Sequence, residues 1–316
     1  MISFIVIGRN EGWKLTKCLS SIFTTFEQNS LTAYEVIYVD SKSTDDSIER
    51  ANEFKGIKIF QLTGDMNAAI ARNVGAQESK GEVLFFIDGD MEILVDFLPH
   101  VYSEENGLVH DFVSGNWENY YYDKENYFLN KEKYLNVDKD RFEKVTGGLF
   151  LINRTIWETI DGMNPSFKKS QDIDLGLRLS KIGLTLLRKK EIAAKHHTIA
   201  YLDKHRMWKD LFKGNEFYGR SLLYRTHLLN KYSWSRLFRN DYSVVVLILS
   251  VILSYPLGIK TFLFYTLLML FKTVVKFPVV KWVNYFFYYL LRDLTTLFGF
   301  FLFFPSKVKH FQYNQI

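Results

Sequence analysis

The chain is poor in cysteine and proline. Its 316 residues include one cysteine, Cys18, and five prolines. A single cysteine excludes an intrachain disulfide and fits a reducing compartment. We interpret Cys18 as a small residue of a helical core. With 47% hydrophobic residues, the composition excludes a disordered or collagen-like chain.

Acidic residues are scarce in the last quarter of the chain. Residues 1–200 contain 24 Lys and Arg against 30 Asp and Glu, whereas residues 201–240 contain nine basic and three acidic residues. Residues 241–316 contain only two acidic residues, Asp241 and Asp293, with 12 of the 28 phenylalanines. We therefore predict a globular domain (1–200), a basic amphipathic collar (201–240) and hydrophobic membrane-embedded helices (241–316).

Two apolar runs, 243–271 and 283–304, each reach the roughly 20 residues that a bilayer span needs. The adjacent Arg292 and Asp293 indicate a protein-facing pair, a tilted helix or an interfacial location. The alternative is a helical domain buried in protein, against which the near absence of acidic residues argues. In the collar, basic residues interleaved with aromatic ones favour a membrane surface and not nucleic acid.

The expected location is the membrane, with the globular domain on the cytoplasmic side. The sequence MISFIVIGRNEG lacks the basic leader and long apolar segment of a signal peptide. The positive-inside rule places the basic collar in the cytoplasm. Both observations predict the same side for residues 1–200.

The amino-terminal part alternates between strand and helix patterns. Compact apolar runs predict strands over 2–7, 34–39, 57–62 and 82–87, and helical spacing predicts helices over 15–26, 48–54 and 67–79. This alternation predicts an α/β fold with a doubly wound, mostly parallel sheet. Ligands bind beyond the carboxyl ends of such strands. The stretch 100–145 has no regular pattern, and we interpret it as a long loop whose tyrosines stack on sugars or pack the loop.

Acidic residues follow the predicted strands. Asp88 and Asp90 come directly after the apolar run VLFFI. Such a pair can hold a divalent cation whose remaining ligands include substrate phosphates, and the cation neutralises charge on a diphosphate leaving group. Asp172 is a third acid, near the start of a predicted helix whose dipole favours its ionised form. It could act as a general base or as a helix cap.

Several segments resemble those of family 2 glycosyltransferases, which have the GT-A fold. They are FIVIGRNE, VIYVDSKSTDDS, AAIARNVGAQESKGEVLFFIDGD, TGGLFLINR, and DGMNPSF followed by QDIDLGLRL. Their order and spacing together are specific, and the resemblance covers residue 2 to about residue 200. It implies a GT-A domain, here followed by a C-terminal helical membrane-associated region, with Mg²⁺ or Mn²⁺ as cofactor.

The resemblance also implies site residues, each with its own role. Glu11 and Asp40 would line the nucleotide pocket, with Asp40 on the nucleotide base, and Arg72 would face the nucleotide or its phosphates. Asp88 and Asp90 would bind donor and metal, and His197, of the pair His196-His197, would reach the metal. Gly147 and Gly148 would let the backbone approach a sugar, and Asp172 would be the general base. Gln171 replaces the first acid of the family's Glu-Asp pair, while the second acid, Asp172, is retained.

The implied activity is inverting transfer of a sugar from a nucleotide diphosphate-sugar donor to an acceptor hydroxyl. The apolar tail predicts a membrane-held acceptor, such as a polyprenyl-linked sugar or a glycolipid. Alternatives are a polyprenyl-phosphate glycosyltransferase using Arg206, Lys209 and Lys213, or a non-catalytic nucleotide-sugar-binding membrane assembly protein. The family motifs argue against a nucleotidyltransferase. The sequence HRMW at 205–208 departs from the Gln-x-x-Arg-Trp element of processive members, which argues against a secreting synthase.

Overall fold

The computed structural model describes residues 1–199, 206–212, 215–305, 308 and 310–316. The chain divides into two compact units, Met1–Tyr201 with Lys307–Ile316, and Leu202–Ser306. Of the cations considered for a lipid phosphate, Lys213 lies outside the described residues, as does the side chain of Arg206. Each unit is described by itself below.

The first unit is built on one large sheet with a small hairpin beside it. Its strands are β1 (Ile2–Gly8), β2 (Tyr34–Asp40), β3 (Ile57–Leu62), β4 (Val83–Asp88), β5 (Met91–Ile93), β6 (Tyr102–Ser103), β7 (Gly107–Leu108), β8 (Phe112–Tyr122), β9 (Phe128–Lys133), β10 (Arg141–Glu143), β11 (Phe150–Asn153), β12 (Leu186–Ile199) and β13 (Tyr313–Gln315). The order in the sheet is β10-β12-β8-β11-β4-β1-β2-β3-β13, with β5 beside β12 and β9 beside β8, and β6 pairs with β7.

The sheet is mixed, so the expectation of a mostly parallel sheet holds only for its amino-terminal part. Strands β3, β2, β1 and β4 are parallel neighbours. Strand β11 then runs antiparallel to both β4 and β8. The direction changes because the chain beyond β4 returns through further strands and not through a helical crossover, which parallel pairing requires.

Helices cover both faces of the parallel strands. They are α1 (Trp13–Gln28), α2 (Ser47–Asn52), α3 (Ala68–Glu78), α4 (Arg154–Thr159) and α5 (Gln171–Lys181). Alternate strand residues enter two apolar cores, with Phe4 and Phe85 in one and Ile5 and Phe86 in the other. This alternation follows from the two-residue period of a strand. Cys18 is fully buried in the first core, as predicted.

The stretch 100–145 contains strands, so the prediction of an irregular loop is wrong. Strand β8 pairs with β12 in parallel and with β9 in antiparallel orientation. The partner β12 begins 74 positions after β8 begins, and no local pattern reveals such distant pairing. Residues 128–133 of β9 are all exposed, which explains why the segment lacks an alternating apolar pattern.

The last strand belongs to the first unit. Tyr313–Gln315 pairs antiparallel with β3, and the Tyr313 hydroxyl donates to Glu78 over 2.6 Å. The prediction extended the apolar helical region to residue 316. The final residues of that range form an edge strand instead, because the backbone of Tyr313-Asn314-Gln315 supplies hydrogen-bond partners for β3, whose edge would otherwise be unpaired.

The second unit is helical. Its helices are α6 (Arg206–Phe212), α7 (Asn215–Thr226), α8 (Lys231–Asn240), α9 (Tyr242–Leu257), α10 (Lys260–Lys276) and α11 (Trp282–Leu302). Helix α9 ends at Gly258, whose φ of +73° few other residues adopt. Among the described helices, none alone has the length and hydropathy to cross a membrane; α8 and α9, which meet at 89°, pass that test only as a bent pair.

Candidate active site

Three strand ends place polar residues at one edge of the sheet. In the parallel register, Gly8 lies opposite Asp40, and Ile7 lies opposite Asp88. The carboxyl ends of β1, β2 and β4 therefore meet, as the sequence predicts. Glu11 follows β1 in the same region, and its carboxylate is ion-paired with Lys14.

Asp88 sits between cationic and anionic neighbours. Its Oδ1 lies 2.5 Å from an Nη of Arg72, whose side chain is only 6% exposed. Burial raises the pKa of Asp88 to about 6; Arg72 opposes the rise, and the charges of Asp90 and Asp172 add to it. Asp172 is thus among the charges that raise the pKa of Asp88, although the two residues are distant in sequence.

Asp90 has a histidine neighbour, but not the predicted one. Its Oδ2 lies 3.2 Å from Nε2 of His196, whose Nδ1 lies 2.8 Å from Oδ1 of Asn119. Burial of the Asp90 carboxyl opposes ionisation, but the hydrogen bond and charge of His196 outweigh it and lower the pKa of Asp90. Burial of His196 likewise opposes protonation, and Asp90 raises its pKa overall.

His197 points elsewhere, which corrects its assignment as a metal ligand. Its Nε2 lies 2.8 Å from Glu92, and its Nδ1 lies 2.9 Å from the hydroxyl of Tyr122. Successive side chains of a strand face opposite sides, so His196 and His197 cannot share one site. The His197 backbone N–H donates to the Asp90 carbonyl over 2.8 Å, which holds the two segments in register.

Gly147 and Gly148 lie where no larger residue fits. Gly147 has φ +77°, and a Cβ there would lie 2.5 Å from the ring of Trp117. A Cβ on Gly148 would lie 2.0 Å from Oδ2 of Asp88. The bare backbone of this loop therefore lies against the carboxylate of Asp88, and its approach to a sugar stays a prediction.

The side chain of Asp40 points into the protein interior. It is fully buried, and its carboxylate accepts hydrogen bonds from Tyr38 (3.0 Å), the Ser43 backbone N–H (2.8 Å), the Ser43 hydroxyl and Gln61 (3.2 Å). These contacts fix the loop that follows β2. The contact of Asp40 with a nucleotide base stays a prediction.

Glu11 lies within the electrostatic field of the Asp pair. Burial raises the pKa of Glu11, the charge of Asp90 adds to the rise, and Lys14 opposes it. Lys14 also acts to lower the pKa of Asp90. Glu11, Lys14 and the two aspartates therefore form one charged cluster, while the role of Glu11 in a nucleotide pocket stays a prediction.

Asp172 lies in the first turn of α5. The helix begins after Ser170, a residue with φ +67°, and the first-turn position favours the ionised carboxylate. Gly176 lets α5 pack closely, since a Cβ there would lie 1.8 Å from the carbonyl oxygen of Lys144. The residues of α5 and the loop that ends in Gly147-Gly148 are thereby held together.

The segment DGMNPSF is held between two helices. Asn73 of α3 exchanges hydrogen bonds with the backbone of Met163, at 2.7 and 2.8 Å. Arg178 of α5 donates to the carbonyls of Ile160 (2.7 Å) and Gly162 (2.6 Å). This bridge fixes the position of α3, which carries Arg72, relative to α5, which carries Asp172.

A stack of aromatic rings beside the glycine loop (Gly147-Gly148) was not predicted from the sequence. Trp117 and Tyr134 stack with centroids 3.8 Å apart and planes at 11°, and the Arg188 guanidinium lies 5.3 Å from the Trp117 ring centroid. Burial raises the pKa of Tyr134, Arg188 opposes it, and the carboxylates of Glu143 and Asp172 add to it. The aromatic content of 100–145 was the only sequence signal.

The donor set suits a hard divalent cation only in part. Within the described residues, no three His, Cys, Asp or Glu side chains form a group that could hold a metal. Asp88 and Asp90 supply carboxylate oxygens and His196 an imidazole, ligand types that Mg²⁺ and Mn²⁺ accept. A cation here would need ligands from a bound phosphate, as the sequence predicts.

Comparison with known proteins gives a consistent assignment. Residues 3–162, half of the chain, match the family described as Glycosyl transferase family 2. The glycosyltransferase AglE of Haloferax volcanii is 31% identical over 37% of this chain, and the glycosyltransferase GlyG of Streptococcus pneumoniae serotype 4 is 30% identical over 38%. The matches span 39% and 40% of those relatives, so the similarity concerns about two fifths of each.

One solved structure matches nearly the whole chain in fold. A mannosyltransferase from Pyrobaculum calidifontis, in complex with GDP-Man and Mn²⁺, superposes with a TM-score of 0.57. The match covers 94% of this chain and 86% of that one at 12% identity. At this identity the likeness shows the fold alone, a mixed α/β GT-A-like arrangement with a large central sheet.

Proposed function

The protein belongs to glycosyl transferase family 2, and from that membership we propose that it transfers a sugar from a nucleotide diphosphate-sugar to an acceptor hydroxyl. The observation that carries the proposal is that Asp88 and Asp90 lie where the strand ends meet, and that the charge of Asp172 raises the pKa of Asp88. The charge of Asp172 acts on the Asp88 carboxyl, although 84 positions separate them. A donor diphosphate and a general base would thus be close together.

The donor would bind at the carboxyl ends of β1, β2 and β4. Arg72 beside Asp88 and the backbone at Gly147-Gly148 would contact its phosphates and sugar. Mg²⁺ or Mn²⁺ would be held by Asp88 and Asp90 together with the donor phosphates, where it would neutralise charge on the diphosphate. The fold relative bound to GDP-Man and Mn²⁺ supports this class of donor and cofactor.

Asp172 would act as the general base. Its carboxylate would take the proton of the acceptor hydroxyl as that oxygen forms its bond to the anomeric carbon. The bond from the anomeric carbon to the diphosphate would break on the opposite side, and the nucleoside diphosphate would leave. A single displacement of this kind inverts the configuration of the anomeric carbon.

The acceptor would be held at a membrane on the cytoplasmic side. Large apolar side chains of α9, α10 and α11 are exposed, among them Ile252 (61%), Phe264 (64%) and Phe301 (65%). Monomeric proteins in water rarely expose so many apolar residues together. A polyprenyl-linked sugar or a glycolipid would place its hydroxyl within reach of such a membrane-bound protein.

Replacing Asp172 tests the proposal. The variant Asp172→Asn should lose about 10²- to 10⁴-fold in turnover, because the amide cannot accept the hydroxyl proton. Nucleotide release would be measured with Mn²⁺ and a panel of nucleotide-sugars, and donor binding by thermal shift, which should change little. The control is Asp96→Asn, an exposed acid in a short 3₁₀ helix. Unchanged function in Asp172→Asn would favour the non-catalytic binding protein.

A further inference from the structure

The ring of Tyr134 is supported on one face and accessible to solvent. Its inner face lies on Trp117, which is 4% exposed and contacts Arg188, whereas Tyr134 itself is 42% exposed. Packing of this kind fixes the plane of an exposed ring and leaves the other face to a ligand. A solvent-exposed aromatic ring costs little conformational entropy on binding, since it has two torsions.

The stack adjoins the groups that act in the proposed transfer. Trp117 is the ring that excludes any side chain at Gly147. The charge of Asp172 reaches the phenol of Tyr134 as well as the carboxyl of Asp88. A molecule lying on Tyr134 would therefore lie near the proposed base and the glycine loop.

The charged groups around the stack offer no site for a phosphate. All five N–H groups of Arg188 are used, by Glu143 (2.6 Å), Ser114 (3.2 Å) and the carbonyls of Gly115 (2.6 Å), Val145 (2.9 Å) and Thr146 (3.0 Å). Arg141 is ion-paired with Glu143. Two guanidinium groups, Arg188 and Arg141, and two carboxylates, Glu143 and Asp172, act on Tyr134, so their charges balance and leave no excess positive charge for an anion.

A neutral sugar fits these surroundings. The C–H groups on one face of a pyranose carry slight positive charge, and the face of an aromatic ring is negative. We propose that Tyr134 binds a sugar ring of the acceptor, so that the group attacked through Asp172 is a sugar hydroxyl and not a lipid phosphate. This inference rests on the proposed function and narrows its acceptor to the carbohydrate class.

Two variants of Tyr134 test the inference. Saturation-transfer NMR would measure binding of a panel of methyl glycosides to the full chain, and nucleotide release would measure their use as acceptors. Tyr134→Ala should raise the glycoside dissociation constant and the acceptor KM by about tenfold, while Tyr134→Phe should stay within about twofold, because stacking needs the ring and not the hydroxyl. Donor hydrolysis without acceptor should be unchanged in both.

The matched control is Tyr127→Ala, in the turn before β9, where the tyrosine is 71% exposed. Equal behaviour of Tyr134→Ala and Tyr127→Ala would overturn the inference, as would transfer to undecaprenyl phosphate in nanodiscs with no response to glycosides. Glycoside binding that depends on Tyr134 in a protein that turns over no donor would support the sugar site and refute the proposed function. Donor turnover with Tyr134-independent glycoside binding would do the reverse.

Discussion

The two units distribute polar and apolar residues in opposite ways. In the first unit, the cores beside the sheet are apolar, and charged groups gather at the strand ends. In the second unit, large apolar side chains are exposed along α9 to α11, while Asp293 is fully buried, with Arg292 and Lys272 each 6% exposed. One chain therefore carries two surfaces suited to different surroundings.

The buried charges of the second unit form one polar network. Arg292 lies 3.1 Å from Asp293, the Tyr265 hydroxyl donates to Asp293 over 3.2 Å, and Lys272 lies over the rings of Tyr242 and Tyr289. Charged groups inside an apolar helical assembly need such partners. This distribution supports the proposed membrane association more specifically than composition alone.

The largest expected effect comes from breaking the buried pair in the second unit. Asp293→Ala should destabilise that unit by about 3–5 kcal/mol, because Arg292 would be left buried without its carboxylate. Thermal unfolding in detergent would measure the change. The double variant Arg292→Met/Asp293→Leu should recover most of the loss; equal loss in both variants would argue against an electrostatic cause.

A smaller effect on stability should follow from adding a methyl group to a packed position in the first unit. Gly176→Ala places a methyl group against the Lys144 carbonyl and should cost about 3 kcal/mol, by forcing α5 away from its neighbour. Urea unfolding would measure it, with Lys181→Ala, an exposed position of the same helix, as control. Stability within 0.5 kcal/mol of the wild type, roughly the range of surface substitutions, would show that the helix is not tightly seated.

The polar contacts between β12 and Glu92 should make the stability of the first unit depend on pH. The hydrogen bond with His197 and, to a smaller extent, the hydrogen bond with Lys195 lower the pKa of Glu92 from 4.5 to about 2, although burial opposes the change. The folded state thus binds fewer protons than the unfolded state between these values. The stabilisation should be complete above about pH 4.5 and decline as the pH falls towards 2.

Glu92→Gln should therefore cost about 2 kcal/mol at pH 7 and progressively less below pH 4.5. Denaturant unfolding at several pH values would measure this, with the exposed Glu105→Gln as control. A cost that stayed constant across pH would mean that Glu92 contributes through packing and not through its charge.

The smallest effect on stability should come from the exposed apolar surface. Leu263→Ser/Phe264→Ser changes two residues of α10 that are 61% and 64% exposed, so the free energy of unfolding should shift by no more than about 0.5 kcal/mol. Flotation with anionic vesicles should nevertheless fall several-fold. Unchanged flotation would remove the main support for a membrane-facing second unit.

The parallel strands could be predicted from sequence because their signal is local. The predicted run 57–62 coincides with β3, strands β1 and β2 each end one residue later than predicted, and β4 lies one residue further along the chain than predicted. Strand β8 was missed because its stability depends on β12, which is distant in sequence. Its aromatic and charged residues suit the boundary between buried and exposed surface, and a sequence of this composition resembles that of a loop.

The histidine assignment shows that the family resemblance does not distinguish neighbouring residues, since it implied His197, whereas His196 contacts Asp90. The pairing of β12 with β8 shifts register between Arg188 and Ile192, and again between Ile192 and Ala194. Each irregularity can reverse which residues face a given side. The sequence could place a histidine near Asp90, but the choice between His196 and His197 needed the three-dimensional pairing.

Strand β13 has a practical consequence for truncation. The segment after the helical unit covers β3, with the Ile316 N–H donating to the Ile59 carbonyl over 3.0 Å. A protein shortened before residue 313 would leave that strand uncovered and prone to pair with other molecules. Removing the apolar helices should therefore excise an internal segment and rejoin the chain, so that the final strand is retained.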